Sequence, residues 1–97
     1  MHRRRVIEAA YLDALTHLPD ALAPSPEVRA QAIEALLLLD QALGGLPARV
    51  RETFLLSQLD GLTYSAIAQR LGISVAAVRK YMLRAAQACH AALNPMP

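Results

Sequence analysis

Ninety-seven residues, 55% of them hydrophobic, are enough for one small core plus a flanking segment. The longest conspicuous apolar run, Ala35 to Leu39, ends at Asp40, far short of the roughly 20 residues that cross a bilayer, so no membrane insertion is expected. The net charge of +2 is unevenly divided: residues 1–60 hold six arginines and all eight carboxylates, a net −2, whereas 61–97 hold Arg70, Arg79, Lys80 and Arg84 and no carboxylate, a net +4. A stretch of that kind suits a surface that neutralises phosphates. After Met1-His2-Arg3-Arg4-Arg5, the acidic Glu8 and Asp13 interrupt what a secretory leader would need as its apolar centre. The single Cys89 has no disulfide partner, which fits a reducing compartment and a cytoplasmic location.

Ala and Leu dominate, aromatic residues make up 4%, and β-branched runs are absent, so the predicted class is all-α. A first helix is expected over Arg3 to Leu18, with Ile7, Ala10, Leu12 and Leu15 on a narrow apolar face. Asp20 to Pro26 reads as a linker, because Pro24 and Pro26 lack amide donors and restrict the residues before them. Ser25-Pro26-Glu27 then supplies a side-chain cap, a proline suited to a first turn and a carboxylate at the positive end of the dipole. That second helix should run to Gly44-Gly45, burying a stripe of Val28, Ala32, Ala35 or Leu36, Leu39 and Leu43 against two neighbours. A third helix begins at Pro47 and carries Val50, Phe54, Leu55 and Leu59 to a stop at Asp60-Gly61, with Phe54 expected as its core anchor. Asn94 to Pro97 should fray.

Thr63 is placed to cap a short helix from Tyr64 to Leu71, Gly72 to turn left-handed, and Ser74 to cap a last helix reaching about Ala91. Two helices joined by about three residues must cross steeply, which is the geometry of a helix-turn-helix. Ala68 is small where the helices approach most closely, and Ile67, Leu71, Ile73, Val78 and Met82 point into the shared core. With Val78 and Met82 inward, Ala76, Ala77, Arg79, Lys80, Leu83 and Arg84 face outward towards a major groove. Arg79 and Arg84 suit guanine edges, Lys80 a base or phosphate, and Ala76, Ala77 or Leu83 a thymine methyl. Thr63 and Ser74, at helix starts, are candidates for phosphate contact as well as caps.

Leu46-Pro47, Arg51, Phe54-Leu55-Leu56, Gly61-Leu62-Thr63-Tyr64, Ile67-Ala68, Leu71-Gly72-Ile73-Ser74, Val78-Arg79 and Arg84-Ala85 together resemble region 4 of the extracytoplasmic-function, group IV sigma-70 factors, over residues 26–92. Phe54 to Leu62 and Lys80-Tyr81-Met82 resemble the iron-uptake branch, the ferric citrate and siderophore signalling factors. The resemblance implies recognition of the promoter minus-35 element in duplex DNA by the last helix. It also implies contact with the β flap of core RNA polymerase, and control by an anti-sigma factor that is the cytoplasmic domain of a membrane-anchored regulator. Arg79, Lys80, Leu83 and Arg84 carry over as DNA contacts, with Ser74 near a phosphate. Ala66 departs from a position that is often acidic in the family, and Ala76-Ala77 replace small hydroxyl residues, which shifts base reading onto the cations.

Residues 1–25 are expected to be the end of region 2 and the linker, and 26–97 the region 4 domain of a longer sigma factor. Promoter melting, which uses aromatic side chains to trap bases, is not expected of a chain with no Trp and one Phe. Cys89 and His90 diverge by about 100° on a helix and make no metal pair, so no cofactor, metal or catalytic site is predicted. Two other readings are a stand-alone or response-regulator-type helix-turn-helix regulator, and a module whose helices 26–44 and 47–60 chiefly dock an anti-sigma protein.

Overall fold

The computed structural model describes residues 2–94, so Pro95 to Pro97 of the tail expected to fray lie outside the described residues. Five helices follow in order: α1 His2–Leu15, α2 Pro26–Gly44, α3 Ala48–Gln58, α4 Tyr64–Leu71 and α5 Val75–Leu93, with a 3-10 turn at Asp20–Leu22. No strand occurs among the described residues, and the fold is all-α. No described helix is long and apolar enough to cross a membrane.

Local chemistry sets most helix ends. Ser25 Oγ accepts from the Val28 N–H at 3.2 Å, which satisfies one of the donors that a first helical turn leaves free, and α2 starts at Pro26. Gly61 and Gly72 take φ of 65° and 67°, a left-handed conformation in which a Cβ would crowd the next carbonyl, and they end the turns after α3 and α4. Their neighbours close back onto the helices: Leu62 N–H donates to Leu56 O at 3.1 Å and Ile73 N–H to Ala68 O at 3.0 Å.

The chain forms two compact units, Met1–Asp40 and Gln41–Pro97. In the first unit α1 buries no residue, and Ile33 is the buried residue of α2. Charge substitutes for a core. Arg3 reaches Asp40 through Nε at 2.8 Å and Nη2 at 2.5 Å, and Arg4 reaches Glu34 at 3.0 Å and Glu8 at 3.4 Å. These side chains are largely in water, where such pairs are individually weak and screened by salt.

In the second unit, α5 lies against both α3 and α4. Ile67, Ala68, Val78 and Met82 form the core cluster, with Phe54, Leu56, Leu62, Leu71, Ile73 and Val75 packed around it. Ile67 and Val78 are fully buried, each withdrawing enough apolar surface to stabilise the fold by roughly 1.5–3 kcal/mol. Two expectations for α3 are corrected. Phe54 is only half-buried, and the deepest residues are Val50 and Thr53, whose hydroxyl donates to Arg49 O at 2.8 Å and so enters the core satisfied. Leu59 follows the last helical residue as a cap and is 77% exposed, because the chain leaves the helix before it can turn inward.

The α2 stripe also differs from its expected burial. Val28 and Leu36 are exposed, and Ala32, Ala35, Leu39 and Leu43 are half-buried. Helix α1 stops at Leu15, three residues before the expected end, where Thr16 Oγ1 donates to Asp13 O at 2.6 Å and consecutive tight turns replace the helix. At the other end α5 continues to Leu93.

Candidate nucleic-acid interface

The helix-turn-helix is built from α4, residues 72–74 and α5. Thr63 Oγ1 accepts from Ala66 N–H at 3.1 Å and Ser74 Oγ accepts from Ala77 N–H at 3.0 Å, so both expected caps are formed. In each hydroxyl the oxygen is engaged as an acceptor while the proton stays available for a phosphate oxygen. Ala68, 7% exposed, sits in the cluster with Val78 and lets α4 and α5 approach closely.

Helical geometry then divides α5 into two faces. At about 100° per residue, buried Val78, Met82 and Ala85 share one stripe, and Ala76, Lys80 and Leu83 fall most nearly opposite it, flanked by Arg79 on one side and Arg84 on the other. All five of these outward residues are exposed, Leu83 at 60%. Ala77 is the exception among the sequence-predicted contacts, because it is half-buried. Among the described residues, no carboxylate pairs with Arg79, Lys80 or Arg84, since every ion pair lies in the first unit. The face therefore presents three unneutralised cations along about 9 Å of helix.

Sequence reasoning missed two arginine contacts that hold the scaffold. Arg49 Nη1 of α3 donates to Leu71 O, the last residue of α4, at 2.9 Å. Arg51 Nη1 donates to Leu46 O at 3.3 Å and lies 3.5 Å from Leu43 O, tying α3 to the carbonyls that end α2. Arg51 falls within the family resemblance, but nothing at local spacing marks Arg49, whose partner is 22 residues away. Along α3, Ala48, Arg51, Glu52, Leu55 and Leu56, with Leu59 and Asp60 just beyond its end, line a shallow, partly apolar groove separate from the cationic face of α5. Cys89 is half-buried on α5, and burial raises its thiol pKa above the ordinary value. Among the described residues there is no cluster of His, Cys, Asp and Glu able to hold a metal.

Comparison with known proteins places this geometry. Residues 36–89 match the family Sigma-70, region 4. The ferric citrate uptake sigma factor FecI of Escherichia coli (strain K12) is 52% identical over 89 residues, which cover 92% of this chain and 51% of that protein. The chain thus spans about half the length of this curated relative. No solved structure matches the chain.

Proposed function

The chain belongs to the sigma-70 family, carrying its region 4, and from that premise we propose that α5 reads the promoter minus-35 element and helps direct RNA polymerase to initiate transcription. The observation that carries this reading is the cationic, carboxylate-free face of α5, set directly behind a buried Val78-Met82-Ala85 stripe. A rigidly seated helix with that face enters a major groove with its side chains already aimed. Arg79 and Arg84 are the base readers, Lys80 and the hydroxyls of Ser74 and Thr63 hold phosphates, and Leu83 and Ala76 contact thymine methyls, with half-buried Ala77 at the margin.

The regulated genes are those of iron uptake, a reading supported by the likeness to the ferric citrate factor. Residues 1–25 form the end of region 2 and the linker, and 26–97 the region 4 domain. The protein acts in the cytoplasm by binding, without catalysis. Its further partners are the β flap of RNA polymerase and an anti-sigma protein, for which Leu55, Leu56 and the exposed Leu59 of the α3 groove offer apolar surface.

The test is promoter binding by polymerase holoenzyme carrying this protein. Arg79→Ala and Arg84→Ala should each weaken binding to a minus-35 duplex by roughly 5- to 150-fold, the equivalent of about 1–3 kcal/mol for one bidentate base contact. If both variants stay folded and both bind the promoter like the parent, α5 is not the reader.

A further inference from the structure

We propose that Arg49 is a positioning residue for the recognition helix, its guanidinium gripping the turn from which α5 is launched. The proposal deepens the minus-35 reading and rests on it. Leu71 ends α4, and its carbonyl is among those that a helix terminus leaves without an internal partner. Ala68 O, one turn earlier, is taken by the N–H groups of Gly72 and Ile73. Among the described residues, Leu71 O has its donor in Arg49 Nη1 at 2.9 Å. That carbonyl belongs to the peptide joining Leu71 to Gly72, so its orientation sets how the chain enters the left-handed residue and, two residues later, the Ser74 cap of α5.

The other end of Arg49 is anchored. Its backbone carbonyl accepts the hydroxyl of fully buried Thr53, and the next residue, Val50, is 2% exposed in the core. Arg49 therefore links a fixed point on α3 to the pivot between α4 and α5, and brings a positive charge to the negative end of the α4 dipole. The bond from Arg49 to Leu71 then acts together with the short loop and the shared core to set the angle at which Arg79 and Arg84 are presented.

The experiment measures holoenzyme binding to an intact and a substituted minus-35 duplex across a salt series. Arg49→Ala should lower discrimination between the duplexes by roughly fivefold, the loss expected when base contacts are misaimed but not deleted. The salt slope should stay unchanged, because removal of a phosphate contact would reduce it by about 1. Arg49→Lys, which keeps charge and a donor, should recover part of the lost discrimination. In the chain alone, Arg49→Ala should shift the Leu71 carbonyl carbon resonance and speed amide exchange at Gly72 and Ile73.

Discrimination within twofold of the parent, or a slope reduced by about 1 with discrimination intact, overturns the proposal. Arg84→Ala measured alongside separates the two readings. If it too leaves binding unchanged, the minus-35 assignment has failed, and the Leu71 resonance decides alone: an unmoved resonance overturns the role of Arg49, and a shifted one supports it.

Discussion

Replacing Gly72 with alanine tests the turn directly, because the structure separates steric from backbone cost. A Cβ at Gly72 would meet nothing within 4 Å, so no neighbour has to move. The entire penalty is conformational. At φ 67° and ψ 36° an L side chain crowds the following carbonyl, costing about 1–2 kcal/mol, and the stiffer unfolded chain offsets about 0.4–1 kcal/mol of it. The net expectation is a loss of roughly 1 kcal/mol. Asparagine, which tolerates the left-handed region, should cost less. Gly44 provides the opposite sign: it closes α2 without a positive φ and also faces open space, so alanine there should stabilise by about 0.5 kcal/mol through helix preference. In urea unfolding, with m near 1–3 kcal/mol/M, Gly72→Ala should lower the midpoint by roughly 0.3–1 M at constant m, and Gly44→Ala should raise it. A midpoint for Gly72→Ala at or above that of the parent would refute a left-handed turn at this position.

Three further outcomes follow from named contacts. Ile67→Ala removes a fully buried side chain from the cluster shared by α4 and α5 and should destabilise by about 2–5 kcal/mol in the same titration; a loss below 1 kcal/mol would mean that the cluster is not the core. Thr63→Ala and Ser74→Ala each strip an N-cap acceptor and should cost about 1 kcal/mol, or about 4–8 °C in Tm by calorimetry, whereas serine at 63 and threonine at 74 should be nearly neutral. Hydrogen bonding and charge from Arg3 hold the Asp40 carboxyl below its ordinary 3.8, so the tie between α1 and α2 is present above that value and lost as pH falls through the lowered one. Protection factors in α1, with each rate divided by the intrinsic exchange rate at the same pH, should therefore fall on acidification. Asp40→Asn should show the lowered protection factors already at neutral pH, with little change on acidification, and equal protection of variant and parent at neutral pH would dismiss the pair.

The two units have different physical bases. The second has a core in which Ile67, Val78 and Ala85 are fully excluded from water, so α5 is held as part of a cooperative unit. The first has exposed Val6, Leu12 and Leu22, and charges at Arg3, Arg4, Glu34 and Asp40 carry its contacts. Local opening should therefore cost less in α1 than in α5, and added salt should widen the difference.

Much of the candidate interface was legible in the residues alone, because its defining interactions are short-ranged. Ser25, Thr63 and Ser74 each bond an N–H three residues ahead, and Gly61 and Gly72 adopt the one conformation that their missing Cβ makes cheap. The same locality made the outward set of α5 readable, since Val78 and Met82 determine by helical period that Arg79, Lys80, Leu83 and Arg84 face away. Hydrophobicity could not rank burial in α3, where Thr53 lies inside and Leu59 outside. That order depends on which face meets α5 and where the helix stops, and a hydroxyl bonded within its own helix is nearly as buriable as a methyl. The hold of Arg49 on Leu71 likewise exists only after α3 and α4 have packed, because no rule of local spacing joins residues 22 apart. Sequence by itself determined the helices, the turn and the cationic face, through interactions spanning three or four residues; tertiary structure decided which side chains fill the core and what holds the turn at its angle, because both arise from contacts between separate helices.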